Sequence, residues 1–239
     1  FRNRIIFPIF DTRAHCRAFG ARALDNAEGA KYLNSPETII YTKGHHLYGF
    51  HLAKQAVAEE DCVVIVEGYV DCLIPYQAGV RNIVASLGTA LTVEQVRLLR
   101  RYTPRVVMLF DMDPAGEAAM MRSLDTLIEE GMEVRVATLA QGEDPDSFVR
   151  RQGVDDFRGR ITAAQTVFDY KLDVLTRRHG IQTPDGKAQI AAGMLPTIYR
   201  FFNELIKAEY LKRLARALDV SEDALAREYQ KVGQAIGTT

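Results

Sequence analysis

The chain has no tryptophan, three cysteines, and no apolar run near the roughly 20 residues that a membrane-spanning helix needs. Cys16, Cys62 and Cys72 are odd in number and show no paired spacing. That argues against a disulfide framework and against a zinc site in this chain, and points to a reducing cytosol. The opening FRNRIIFPIF is too short in its apolar part, and too soon broken by Pro8, to be a signal peptide. It reads like mid-domain sequence, as expected of a fragment of a longer protein. Neither sign of charge dominates: the formal net charge is −1, so the whole chain has no overall basic field for nucleic acid. No Ser/His/Asp or Cys/His arrangement stands out, so no protein nucleophile is expected, and no repeat or low-complexity stretch is visible.

Three segments follow from what is there. Residues 1–58 read as short strands and loops, a partial α+β subdomain, ending in a helix within LYGFHLAKQAVAEE. They hold eight Lys/Arg against four acids, and four of the five histidines. Residues 59–150 alternate strand and helix. CVVIV, NIVAS, VVMLF and EVRVATL are the strands, with helices over 71–78, from Thr92, and over 114–130. Thr92 with Gln95 fits a capping box. This alternation predicts an α/β fold with a parallel four-stranded sheet flanked by helices. From 151 to 239 the strands stop. Phe168, Leu172 and Leu175 share a helical face, Thr183 and Pro184 open a further long helix that Pro196 would kink, and Ser221 caps the last. A helical bundle is expected there.

The acids of the middle segment sit at strand ends. Glu67 follows the first strand, Asp111 and Asp113 follow the third, and Asp144 and Asp146 come just after the fourth; Asp71 lies near Glu67, beyond Gly68. Ligands of parallel sheets bind at this carboxyl edge. Oxygen donors without Cys or His suit Mg²⁺ or Mn²⁺, and two such ions about 4 Å apart can clamp a phosphoryl transfer. Gly68 would allow a sharp turn and close approach of a ligand. Against this, Asp71, Asp113 and Asp144 all stand where a helix N-cap would be, the last two followed by proline. Caps leave Glu67, Asp111 and Asp146 unaccounted for, which favours a metal site.

Glu at the first strand end and DxD at the third, on a four-stranded parallel sheet, resemble the Toprim domain. The words EGYVD, ASLGTALT, FDMDPAG and GEDPDSFVR, with FPIFD, FGARAL, KYLNSPET and KGHHLYG before them, resemble bacterial DnaG-type primases. The resemblance implies the Toprim-containing core of an RNA polymerase that makes short primers on single-stranded DNA from NTPs. Glu67, Asp111 and Asp113 would be the central, catalytic metal ligands, completed by Asp71, Asp144 and Asp146. The ion would be Mg²⁺ or Mn²⁺, its number left open. Arg22, Lys31 and Lys43 would face the acids and meet NTP phosphates and nucleic acid, with Asn34 and Tyr69 in matching motif positions. Implied partners are the DNA template and the RNA–DNA hybrid. A replicative helicase and single-strand-binding protein would be met through regions outside this chain, in the cytoplasmic replisome and with no membrane.

Two positions depart from the family pattern: Met112 stands between the aspartates where a small residue is common, and His45 stands where Arg is usual. Neither the zinc-binding domain that precedes the primase core in this family nor a helicase-binding domain is expected within these residues. Two other functions fit the same acids. Another Toprim enzyme, a nuclease or topoisomerase, would cut DNA with the same site, although the basic KYLNSPET and KGHHLYG segment has no obvious use in a nuclease. A non-catalytic DNA-binding fragment would need aromatic stacking platforms, and here tryptophan is absent and most aromatics read as core.

Overall fold

The computed structural model describes residues 2–24, 30–87, 90–110, 114–140 and 142–237. Two sheets carry the architecture. The first is antiparallel, in the order β1 (Arg4–Phe10), β2 (Cys16–Ala23), β3 (Tyr32–Asn34). The second holds β4 (Val63–Val66), β5 (Ile83–Ala85), β6 (Arg105–Met108), β7 (Glu133–Val136) and β8 (Gln165–Thr166), in the order β5-β4-β6-β7-β8. The first four strands of that order run parallel, as the alternation predicts. β8 is an addition: strands do not stop at 150, because two residues pair antiparallel with β7 at the sheet edge. A two-residue strand carries no periodicity, so its sequence gave no sign of it.

All four residues of β4 are buried, and they point alternately to two cores. Val63 and Ile65 face the core built with α1 (Phe50–Glu59), α3 (Val93–Arg100) and α4 (Pro114–Glu129). Val64 and Val66 face the core shared with α2 (Tyr69–Gln77), α5 (Pro145–Gln152) and α6 (Val154–Thr162). Beyond the sheet, α7 (Val167–His179) is apolar on two sides. Val167, Tyr170 and Val174 pack toward the sheet, while Phe168 and Leu175 pack with α8 (Pro184–Arg200), α9 (Glu204–Leu218) and α10 (Glu222–Gly237). The helical starts follow local chemistry. Thr92 forms the expected capping box with Gln95, and Thr183 caps α8 with Pro184 at its first position.

The two sheets are keyed together by Tyr69, the first residue of α2. Strand pairing sets Phe7, Gly20 and Asn34 side by side across β1, β2 and β3. Side chains of paired residues share a face. The Tyr69 ring occupies that row: it stacks on Phe7 with centroids 4.7 Å apart, and its hydroxyl donates to Asn34 Oδ1 at 2.5 Å. Gly20 provides the room, since a Cβ there would lie 2.1 Å from the Tyr69 hydroxyl oxygen. Tyr48 closes the other side edge-on, at 4.7 Å between centroids. Burial first, then the neighbouring phenols, push the Tyr69 pKa well up, so the hydroxyl stays a donor.

Tyr69→Phe should cost about 0.5–1.5 kcal/mol, the worth of one hydrogen bond, read by urea unfolding. Gly20→Val, which must displace a packed ring, should cost about 1–3 kcal/mol or more. Parent-like stability in Gly20→Val would show that Tyr69 does not occupy the row.

Candidate active site at the carboxyl edge of the parallel sheet

β4 and β6 are neighbours although β5 lies between them in sequence, so the chain changes direction across the sheet at this pair. That switch is where open α/β sheets bind ligands. The strands advance together there, with Leu109 N–H donating to the Ile65 carbonyl at 2.9 Å. Glu67 leaves the end of β4 and Asp71 lies one turn into α2. Asp144 and Asp146 arrive on α5.

These four acids line one open cleft of about 290 Å³ together with Arg22, Lys31, Tyr32, Asn34 and Tyr69. Eight of the eleven residues expected to form the site are thereby brought to one place. Asp111 and Asp113, with Met112 between them, lie outside the described residues. Lys43 is described but is not among the residues lining the cleft. It sits in a single 3-10 turn, Lys43–His45, held against α3 by Thr92 Oγ1 donating to the Gly44 carbonyl at 2.5 Å. Gln95 Nε2 adds a bond to the His46 carbonyl at 2.7 Å, and burial pulls the Lys43 pKa down. His45 ends the turn, exposed.

Each carboxylate has a local reason for its place. Asp144 caps α5, accepting from Ser147 N–H at 2.7 Å, while the Ser147 hydroxyl and the Asp144 N–H meet at 3.2 Å. The cap reading is therefore right for Asp144, whose cap and cleft positions coincide. Asp71 is different from the cap expected: Gly68 is the N-cap of α2, and Asp71 is the third helical residue, where the helix dipole favours an acid. Gly68 itself is extended, at φ −111°, so its backbone does not demand glycine. A Cβ there would lie 2.5 Å from Asp71 Oδ2, so a larger residue would have to move that carboxylate end. Asp146 is paired with Arg150 one turn along α5.

The opposite wall comes from β2 and β3. Arg22 and Tyr32 are directly paired, and Lys31 precedes Tyr32. The Arg22 guanidinium lies 5.8 Å and the Lys31 ammonium 5.9 Å from the Tyr32 ring centroid. Burial raises the Tyr32 phenol pKa, Arg22 opposes this, and the charges of Asp71, Asp144 and Asp146 raise it further. Tyr32 thus feels both walls at once. Sequence reasoning passed over it, although it stands inside KYLNSPET; its importance depends on strand register, which that word alone does not reveal.

Among the described residues that line this cleft, the candidate ligands are oxygen donors, chiefly carboxylates, with no cysteine or histidine. That donor chemistry fits a hard divalent cation rather than zinc. Among the described residues no three His, Cys, Asp or Glu side chains gather closely enough to enclose an ion. No described helix is long and apolar enough to cross a membrane.

Residues 1–54 match the model of the DNA primase catalytic core, N-terminal domain, and residues 64–149 match a Toprim-like model. Residues 168–223 match the DnaB-helicase binding domain of primase. This overturns the expectation that nothing here resembles a helicase-binding domain; α7 to α9 carry the match, and an amphipathic helical pattern is too general to have announced it. A DNA primase of Clostridium acetobutylicum is 37% identical over 241 residues, covering 99% of this chain and 40% of that protein. The DNA primase of Escherichia coli K12 is 37% identical over 227 residues, covering 94% and 39%. The chain thus spans about two fifths of the length of these curated relatives. Among solved structures, a DNA primase domain from Pseudomonas aeruginosa superposes with a TM-score of 0.85 at 38% identity, covering 96% of this chain and 73% of that one. A DnaG primase catalytic domain bound to single-stranded DNA gives a TM-score of 0.79 at 37% identity, covering 90% and 70%. With this fold, these acids at the sheet edge and these relatives, the chain belongs to the bacterial DnaG-type primases, of the Toprim-containing catalytic core.

Proposed function

We propose that this chain is the catalytic part of a DNA primase, joining NTPs into short RNA primers on a single-stranded DNA template. The observation that carries the proposal is the facing of Arg22 and Lys31 by four carboxylates across one cleft. A nucleoside triphosphate needs both: cations for its phosphates, and acids to hold the ion that accompanies them. We divide the chain accordingly into a partial basic subdomain at 1–58, a Toprim domain at 59–150 and a helical bundle at 151–239.

Glu67, Asp111 and Asp113 are assigned as the central ligands of Mg²⁺ or Mn²⁺, with Asp71, Asp144 and Asp146 completing the acidic wall. When bound, such an ion supplies charge neutralisation and a lowered pKa for an attacking hydroxyl. The side chains do the rest. Arg22 and Lys31 donate to the phosphates and favour the charge on departing pyrophosphate. Tyr69 fixes Asn34, and the pair carries the basic wall at a set distance from the acids. Lys43, on its separate turn against α3, is assigned to nucleic acid rather than to the triphosphate. The helicase-binding match over 168–223 supports a replicative helicase as a partner, met through α7 to α9. The bacterial cytoplasm follows from that role.

The first measurement is binding of a labelled NTP to this chain with and without Mn²⁺, beside Asp111→Asn. Metal-dependent binding that the mutant loses supports the polymerase; metal-dependent nicking of DNA without NTP binding would replace it with a nuclease. In the full-length primase, Glu67→Gln should lower primer synthesis by about 10²-fold or more, the scale of lost electrostatic stabilisation, with an unchanged circular dichroism spectrum. Lys31→Ala should weaken NTP binding by about 10- to 100-fold, as expected for one charged hydrogen bond, and leave Mn²⁺ affinity as it was. Equal NTP affinities in mutant and parent would remove Lys31 from the site.

A further inference from the structure

Tyr32 stands in the cleft among groups of both charges. Its ring is not core: 38% of the residue is exposed, on a three-residue edge strand. Two cations stand over it, Arg22 from the paired strand and Lys31 from the preceding position, at 5.8 and 5.9 Å from the centroid. No ion pair or hydrogen bond from the Arg22 or Lys31 side chain to an acid is present among the described residues, although four acids line the same cleft. Two like charges on neighbouring strands repel, and long side chains on an edge strand have many rotamers. An aromatic face between them offsets both effects, because its negative quadrupole attracts each cation and gives both a common seat.

We propose that Tyr32 is a positioning residue, which holds Arg22 and Lys31 on its ring so that both present their charge to a triphosphate in the cleft. This rests on the reading of Arg22 and Lys31 as phosphate-binding residues and adds what keeps them in place. The ring is itself located by the key between the sheets, since Tyr32 lies 6.3 Å from Tyr69 between centroids and its strand ends at Asn34. The position of the two cations relative to Asp71, Asp144 and Asp146 is therefore set by strand register and ring contact. The upward shift of the Tyr32 phenol by those three acids agrees with a ring lying between the walls. The phenol hydroxyl has no part in the device, so phenylalanine should serve and an aliphatic side chain of similar bulk should not.

The experiment measures ATP affinity in Mn²⁺ for Tyr32→Phe, Tyr32→Leu, Lys31→Ala and the double variant Tyr32→Leu with Lys31→Ala. It also measures steady-state primer synthesis by the full-length primase carrying the same changes. Tyr32→Leu should weaken ATP binding about three- to tenfold, the scale of one or two cation–π contacts. The loss should appear in KM for NTP, with kcat close to the parent. Tyr32→Phe should stay within about twofold of the parent on the same scale. Lys31→Ala should cost less in the Tyr32→Leu background than alone, because the seat is already gone. Parent-like affinity in Tyr32→Leu, equal losses in Phe and Leu, or strictly additive losses would each overturn the positioning role. If Lys31→Ala and Arg22→Ala leave ATP binding unchanged, the phosphate-binding reading fails first and takes this one with it. If those two lose binding while Tyr32→Leu does not, only the role of Tyr32 falls.

Discussion

The seating of the Tyr69 ring against Gly20 is the contact on which the candidate site depends. Neither sheet could make a two-walled cleft alone. The parallel sheet delivers acids to its carboxyl edge, and the antiparallel sheet delivers cations to the end of β2 and the start of β3. Tyr69 belongs to the first by its chain position and to the second by its packing, stacked on Phe7 and donating to Asn34. Because α2 starts directly after Glu67 and Gly68, the same few residues that end β4 also dock the basic wall. Acid and cation are brought to a fixed separation by one buried side chain rather than by a hinge.

Much of this was legible in the sequence. An unbroken apolar run such as VVIV can only be a strand covered on both faces or a piece of buried helix, and the turn signals on either side decide between them. Acids after such strands then lie at one edge, which is why a shared position for Glu67, Asp144 and Asp146 can be expected from the sequence. Local capping chemistry was equally readable, as at Thr92 and Thr183. Asp71 was not, because a helix that begins two residues earlier than the pattern suggests turns an expected cap into a first-turn acid. Nor was Gly20 or Tyr32. Their partners are fixed by register between strands joined by loops, and register is a pairing property absent from any single segment. Lys43 is expected beside Arg22 and Lys31 from its motif word, which carries no direction; its turn is held against α3 and it does not line the cleft.

The bundle is tied to the sheet by a helix with two apolar faces. α7 gives Val167, Tyr170 and Val174 to the sheet core and Phe168 and Leu175 to the bundle core. A half-buried chain of polar contacts joins the same layers: Lys171 donates to Thr197 on α8, whose hydroxyl in turn meets Asp125 on α4 at 3.3 Å. Burial pulls the Lys171 pKa down and Asp125 opposes this. The segment matched to a helicase-binding domain therefore shares side chains with the helix that directly follows residues 111–113.

The cap at the start of α5 has a thermodynamic side. Asp144 has one carboxylate oxygen fixed on the Ser147 amide, and its backbone N–H is met by the Ser147 hydroxyl. Its rotamer was chosen when the helix folded. A ligand arriving in the cleft meets an oxygen that has no rotational freedom left to surrender, so the entropy of ordering this side chain is charged to folding and not to binding. Every residue but proline at position 147 keeps that amide, so the pre-ordering belongs to the helix start rather than to the serine side chain.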